Sequence, residues 1–178
     1  FPEGGHLIIG MKNRIAFKAT DEEGKGVNIE ALTIQGKPIA VSPQHLGMGY
    51  FMYTPGEKKT KTSILYNGKE HSFSLPEAES YGYTIGASQE ADDTLRISIS
   101  TSLPDTTKLL GMTLMHAGKV EHIDTITMYK ATQSKAISTS ELPTGTYQFT
   151  LFDAEGEILA TRMLFINNGV NLSPITIR

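Results

Sequence analysis

Few side chains in this chain are of the kinds that do chemistry, and those few are scattered. His116, Glu121, His122 and Asp124 come closest to a constellation. They flank Ala117-Gly118, a pair suited to turning a strand back on itself. His122 and Asp124 share a strand face at period two, and His116 can reach them across the turn. Imidazole and carboxylate are ligands that suit zinc. The spacing matches no metal-binding signature, however, and exposed polar residues on an edge hairpin are the simpler expectation. His6, His45 and His71 stand apart, as surface or strand-end residues.

The carboxylates cluster at turns: Asp21-Glu22-Glu23, Asp92-Asp93, and Asp153 with Glu155. Paired acids hydrolyse glycosides when they face each other across a cleft at about 5 or about 6.5–9.5 Å. Turn tips are also where Asp and Glu ordinarily sit, solvated. The D-x-[DN]-x-[DN]-G loop of a calcium site is missing. So are G-x-S-x-G, H-E-x-x-H and the phosphate-cradling G-x-x-x-x-G-K-[ST]. Gly47-Met48-Gly49 precedes a strand and has no helix after it to hold a phosphate, so it reads as a bend or a close backbone approach. No catalytic, cofactor-binding or metal-ligating residue is therefore assigned, and no cofactor is expected.

Aromatics remain as binding candidates. Tyr50, Phe51 and Tyr53 cluster, with Tyr50 and Met52 on one strand face and Phe51 and Tyr53 on the other. One face is expected in a core, leaving the other for a sugar, a peptide or a neighbouring domain. Tyr81 and Tyr83 are expected at a contact between domains. Lys58, Lys59 and Lys61 form the one basic cluster, in a Gly- and Thr-rich loop that reads as a solvated tip.

Bulk properties narrow the classes. The chain has 178 residues, 39% hydrophobic and 20% charged, with a net charge of −3. That composition folds, and its near-neutral charge leaves no electrostatic footprint for nucleic acid or an anionic membrane surface. Cysteine is absent, which removes disulfides, thiolate ligands and a Cys nucleophile. No apolar run approaches the roughly 20 residues that span a bilayer, so no direct membrane insertion is expected. The opening at Phe1 reads as mid-pattern, as in a piece of a longer protein.

The elements that would position all these residues are short strands. Strand signals fall at 6–9, 14–20, 27–34, 38–41, 49–54, 61–66 and 71–75, separated by turn residues. Asn67-Gly68 is the strongest hairpin signal among them. Residues 76–80, proline-initiated and aperiodic, read as a linker. Strands resume at 83–87, 94–100, 108–116, 119–124, 126–129, 136–140, 147–152 and 158–166, with a weaker signal at 175–178. Within 142–166 a hairpin closes over Asp153-Ala154-Glu155-Gly156, with Tyr147, Phe149 and Leu151 on one face. The run Met163-Leu164-Phe165-Ile166 predicts a central strand covered on both sides. Asp21-Glu22-Glu23-Gly24 and Asp153-Ala154-Glu155-Gly156 share a D-x-E-G pattern, read as shared turn chemistry. The expected architecture is all-β: two tandem immunoglobulin/fibronectin-like β-sandwiches, at 1–76 and 81–178, with a linker at 77–80.

Three segments carry a family resemblance. Phe1-Pro2-Glu3-Gly4-Gly5, followed by Asn13 to Asp21 and Gly24, resembles the FPEGG…RVAFKATDxxG opening of macroglobulin-like domains in large bacterial envelope proteins. Gly47 to Phe51 with Thr54-Pro55 resembles the GMGxFxxxP turn of the same module. Leu142-Pro143-Thr144-Gly145, Phe149 to Asp153, Gly156, Leu159-Ala160 and Arg162 resemble the LPxGxxxFTLFDxxGxxLAxR hairpin of the domain that follows it. The resemblance implies macroglobulin-like sandwiches that precede other modules, such as a carboxypeptidase-regulatory-like domain or a TonB-receptor plug. It implies a periplasmic, outer-membrane-associated or secreted location. Implied partners are neighbouring domains of the same chain, other envelope proteins or glycans. The macroglobulin thioester needs a Cys in C-G-E-Q, and this chain has none.

Overall fold

The computed structural model describes residues 1–90, 93–103 and 107–169. The strand signal at 175–178, and Asp92 of the Asp92-Asp93 pair, lie outside the described residues. Among those residues every regular element is a β-strand. The chain divides into two compact units, Phe1–Thr84 and Ile85–Arg178.

The first unit opens with β1 (Leu7–Ile8), β2 (Asn13–Lys18), β3 (Ala31–Ile34) and β4 (Lys37–Ile39). It continues with β5 (Met48–Tyr53), β6 (Lys61–Tyr66), β7 (Lys69–Ser74) and β8 (Ala78–Glu79). β2 pairs with β5, and β4-β3-β6-β7 form a four-stranded sheet. Ile15, Leu32, Ile34 and Phe51 alternate inward from these strands and share one buried cluster with Leu7, Ile29, Leu75 and Ala78. The 76–80 stretch, expected as a linker without structure, holds β8, which pairs in parallel with β1 through Leu7↔Ala78 and Ile8↔Glu79. Ala78 is small enough to sit in that core, so a polar-looking segment is drawn into the sheet. The signal at 27–34 yields a strand only from Ala31. Ahead of it the Gln44 amide replaces a strand partner: Ile29 N–H donates to Oε1 and Nε2 donates to Ile29 O, both at 2.8 Å. Asn13, 1% exposed, is satisfied the same way, accepting from Ile8 N–H and donating to Ile8 O and Met11 O.

The second unit's strands are β9 (Tyr83–Glu90), β10 (Thr94–Thr101), β11 (Lys108–His116), β12 (Lys119–Met128), β13 (Thr132–Ser138), β14 (Gly145–Phe152) and β15 (Ile158–Ile166). β9 begins just inside the first unit's limit. The orders β13-β10-β9 and β12-β11-β14-β15 make a three-stranded and a four-stranded sheet. Leu95, Ile97, Ile99, Leu110, Met112, Leu114, Tyr147, Phe149 and Leu151 are buried between them, as the period-two pattern requires. The signals at 119–124 and 126–129 are one strand, because pairing with β11 runs unbroken through Thr125. Polar side chains lace both open sides of this sandwich. Lys135 of β13 donates to Thr125 O of β12 at 2.8 Å. Arg162 of β15 donates to Ile85 O of β9 at 2.8 Å, and Gln89 exchanges two hydrogen bonds with the Asn167 backbone.

The Met163–Ile166 expectation needs correction. Ile166 is fully buried, but Met163 and Phe165 are 60% and 61% exposed. β15 is an edge strand, and the outer face of its sheet carries no second layer among the described residues. An unbroken apolar run looks the same in sequence whether one face or two are covered.

The D-x-E-G rhyme is real geometry. Asp21 Oδ1 accepts from the N–H groups of Glu23 and Lys25 at 3.1 and 2.8 Å. Asp153 Oδ1 accepts from those of Glu155 and Glu157 at 3.1 and 2.8 Å. Both turns also close a bond from the Gly N–H to the Asp carbonyl. Asp153→Ala is expected to lower stability by about 0.5–2 kcal/mol, as loss of a capping carboxylate does, while Asp153→Asn keeps most of it because its amide oxygen still accepts. Urea unfolding of both variants checks this; equal losses would mean the charge, and not the acceptor, matters.

Candidate interaction surface

The His116–Asp124 group does not converge. The β11–β12 register sets His122 opposite Leu114 and Asp124 opposite Met112, both inward-facing. His116, at the hairpin's end, instead packs on β14: its ring stacks on Tyr147 at 4.7 Å and occupies the space a Cβ on Gly145 would need. Its Nδ1 lies 3.0 Å from Thr146 O. His122 Nε2 is 3.6 Å from Asp124 Oδ2, and Lys135 Nζ is 2.5 Å from the same oxygen. An ammonium thus holds the place beside Asp124 where a cation would bind. Among the described residues no group of three His, Asp or Glu is arranged to hold a metal.

That ion pair has a pH consequence. The Lys135 ammonium, helped by the Thr125 N–H, holds the Asp124 carboxyl below the usual carboxylate range. The group's contribution to stability is present above the unfolded value of about 3.9 and is lost as pH falls through the depressed folded value. Acid unfolding followed by circular dichroism is expected to be less steep below about pH 4 in Asp124→Asn than in the parent chain. An unchanged acid limb would show that solvent screens the pair.

The turn acids are likewise tied into structure. Asp21 and Asp153 serve their own turns, on different units. Glu90 and Arg96 form a two-point pair across the β9–β10 hairpin, with nitrogen–oxygen distances of 2.6 and 2.9 Å. Among the described residues, Tyr147 is the clearest buried polar aromatic. Its hydroxyl donates to Pro143 O at 2.7 Å, and burial pushes the phenol's pKa up, so it stays a donor. This four-residue reach back to the backbone is the corner bond of sandwich domains.

Tyr50, Phe51 and Tyr53 do not make one aromatic face. Phe51 is 3% exposed and belongs to the core, and the Tyr53 hydroxyl lies inside, 3.3 Å from Thr60 Oγ1. Tyr50 alone faces solvent, and Arg14 covers one side of its ring at 3.7 Å from the centroid. Tyr50 shares its face with Met52, as the alternation predicts, and with Met48, which lies ahead of the strand signal at 49–54 but inside β5. Met48, Tyr50 and Met52 fall at period two on the outer face of β5, 48%, 38% and 39% exposed, and Leu46, 65% exposed, stands before the strand. Leu46 is held at the hairpin tip with φ of +50°, a region that bulky residues avoid. Alternation gives Tyr50 and Met52, but it does not reach Leu46, which is exposed through the Leu46-Gly47 turn.

No family model matches the chain, and no curated protein matches it. Among solved structures it is similar to dimeric latent PorU from Porphyromonas gingivalis, at 11% identity and a TM-score of 0.48, over 93% of this chain and 19% of that one. It is also similar to SGBP-B of the Bacteroides ovatus mixed-linkage glucan utilization locus, in complex with a heptasaccharide, at 14% identity and a TM-score of 0.32, over 91% and 42%. A third is the surface layer protein SbsC, domains 4–9, at 12% identity and a TM-score of 0.39, over 92% and 30%. This chain spans less than half the length of each.

Proposed function

We propose that this chain is a non-catalytic spacer and interaction segment of a longer, exported bacterial envelope protein, and that the outer face of β5 is where it meets a protein partner. The observation that carries the reading is the Met48-Tyr50-Met52 row on the outer face of β5, with exposed Leu46 at the hairpin tip beside it. Methionine and leucine adapt their shape to an apolar protein surface, and a row of this kind on a rigid sheet is what a docking module needs. The macroglobulin-like motifs at 1–24, 47–55 and 142–162 support the envelope setting. The acids best placed for hydrolysis are engaged in turns, which supports a role without catalysis. Glycan binding at Tyr50 is the weaker reading, because Arg14 already stacks on one ring face.

Fractionation of the organism that encodes the longer protein, with an antibody to this chain, is expected to find the product in the envelope. A cytosolic product would overturn the setting. Glycan hydrolysis by the purified chain that Asp153→Asn or Glu155→Gln abolishes would overturn the absence of catalysis. Strong glycan-array binding lost in Tyr50→Ala would favour the sugar reading.

A further inference from the structure

The chain holds two Asn-Gly pairs, Asn67-Gly68 and Asn168-Gly169. In such a pair the glycine nitrogen can attack the asparagine side-chain carbonyl, because no Cβ crowds the approach. As sequence the two pairs are equal, but their surroundings differ. Asn67 and Gly68 are exposed in the two-residue turn between β6 and β7, with φ of +50° and +68°. No hydrogen bond among the described residues holds the Asn67 side chain. Gly68 N–H donates to Glu30 Oε1 at 3.4 Å, longer than an ordinary N–H···O bond.

Asn168 is half-buried, and its Nδ2 donates to both Thr139 O and Leu142 O. Its own N–H donates to Thr144 Oγ1 at 3.0 Å. The nitrogen that would attack there belongs to Gly169, and its N–H is held by Asn167 Oδ1 at 3.0 Å. The amide that must leave and the nitrogen that must attack are both tied. At Asn67-Gly68 the first is untied and the second is loosely tied. Attack also requires the Asn67 backbone to swing out of the left-handed region, which opens the turn. β7 is an edge strand whose every residue is exposed, so little packing resists that opening.

We propose that Asn67 is a site of spontaneous covalent modification, and that its conversion releases β7 from the sheet edge. The Gly68 nitrogen gives its proton to solvent base and bonds to Asn67 Cγ. The Cγ–Nδ2 bond breaks, and Nδ2 leaves as ammonia with a proton from water. The cyclic imide then takes up water. Opening at the side-chain carbonyl gives aspartate, and opening at the backbone carbonyl gives isoaspartate. Nothing is oxidised or reduced: one water is consumed and one ammonia released. Isoaspartate runs the backbone through Cγ and so adds a carbon to a turn of two residues. The turn can then no longer close the Tyr66↔Lys69 pair from which the β6–β7 ladder starts. The new carboxylate also stands beside Glu30, the group that Gly68 N–H reaches. The β6–β7 edge therefore carries a slow, one-way change that the Asn168 pair is built to resist.

The test is incubation of the chain in mildly alkaline buffer, folded and in strong urea, with peptide mapping by mass spectrometry of the amide-to-acid change at both pairs. In the folded chain residue 67 is expected to convert about tenfold faster than residue 168, the scale set by two net hydrogen bonds. In urea the two rates are expected to converge, because the protection at Asn168 is structural. The isoaspartyl form, separated by chromatography, is expected to show moved amide peaks for residues 69–74. Asn67→Asp carries the charge without the extra carbon and is expected to leave those peaks near their parent positions. No conversion at residue 67, equal rates at both pairs in the folded chain, or rates that stay apart in urea would overturn the site. Unmoved β7 peaks in the isoaspartyl form, or the same movement in Asn67→Asp, would overturn the release of β7 by the added carbon.

Discussion

Replacing Phe149 with alanine is expected to destabilise the second unit by about 3–5 kcal/mol, the range for removing a fully buried phenyl ring. Phe149 is 0% exposed. It sits on β14, between β11 and β15, opposite Leu114 on one side and Arg162 on the other. Pairing on both sides holds the backbone in place, so the walls cannot collapse into the space left behind. Loss of dispersion contacts then adds to the lost transfer free energy. Marginal domain stability is about 5–15 kcal/mol, so this one change can leave the unit partly unfolded at room temperature. Urea unfolding read from amide peaks of each unit is the measurement. Peaks from residues 94–166 are expected to vanish at lower urea, while those of Ile15, Leu32 and Phe51 keep their midpoint, because each unit has its own core. A loss below about 1 kcal/mol would mean that the sandwich repacks around the gap.

Gly47→Ala is expected to destabilise the first unit by about 2–4 kcal/mol, from two effects that can be separated. Gly47 has φ of +77°. A Cβ there would lie 2.2 Å from Ala19 O and 2.8 Å from Val27 N, both backbone atoms. Those atoms are bonded to each other at 3.0 Å, and Ala19 N–H donates to Gly47 O at 2.8 Å. A methyl group must therefore push apart the junction of the 19–27 turn and the β5 hairpin. Gly118→Ala is the control: φ is +80°, but nothing lies within 4 Å of its Cβ position. It is expected to lose only the left-handed penalty of about 1 kcal/mol. The difference between the two variants measures the close approach. If they lose equal stability, the contact between Gly47 and the 19–27 turn contributes nothing.

Much of this architecture was legible in the residues. Leu95, Ile97 and Ile99 alternate cleanly and are buried in that order. Asn67-Gly68 and Ala117-Gly118 are two-residue turns with both φ values positive. Gln35-Gly36 and Leu46-Gly47 form the same turn with residues whose preferences do not announce it. The tertiary frame overrides their local bias. β8 shows the same effect, since a parallel partner 71 residues away leaves no trace in a local pattern.

The candidate surfaces were less legible. The pleat separates Tyr50 and Met52 from Phe51 and Tyr53, as alternation predicts, but alternation alone does not say which pair is covered. The row that does reach solvent, Met48, Tyr50 and Met52, resembles any strand's alternate positions until one knows which side is covered. His116 and His122 looked like partners across a turn. The register instead gave His116 to Tyr147 and left Asp124 to Lys135 of β13, eleven residues further along the chain.

By itself, then, the amino-acid sequence determined the class of this protein: all β, two sandwiches, no cysteine chemistry, and a twice-used Asp-x-Glu-Gly turn. Period-two burial and turn stereochemistry are local properties, and local properties can be read from local residues. Only the tertiary structure decided which faces are covered. That placed Met163 and Phe165 in solvent, drew Ala78 into a core, and left Phe73 half-exposed on the inward face of an edge strand. Coverage depends on how many strands each sheet has and what lies across from it, and no single segment carries that information.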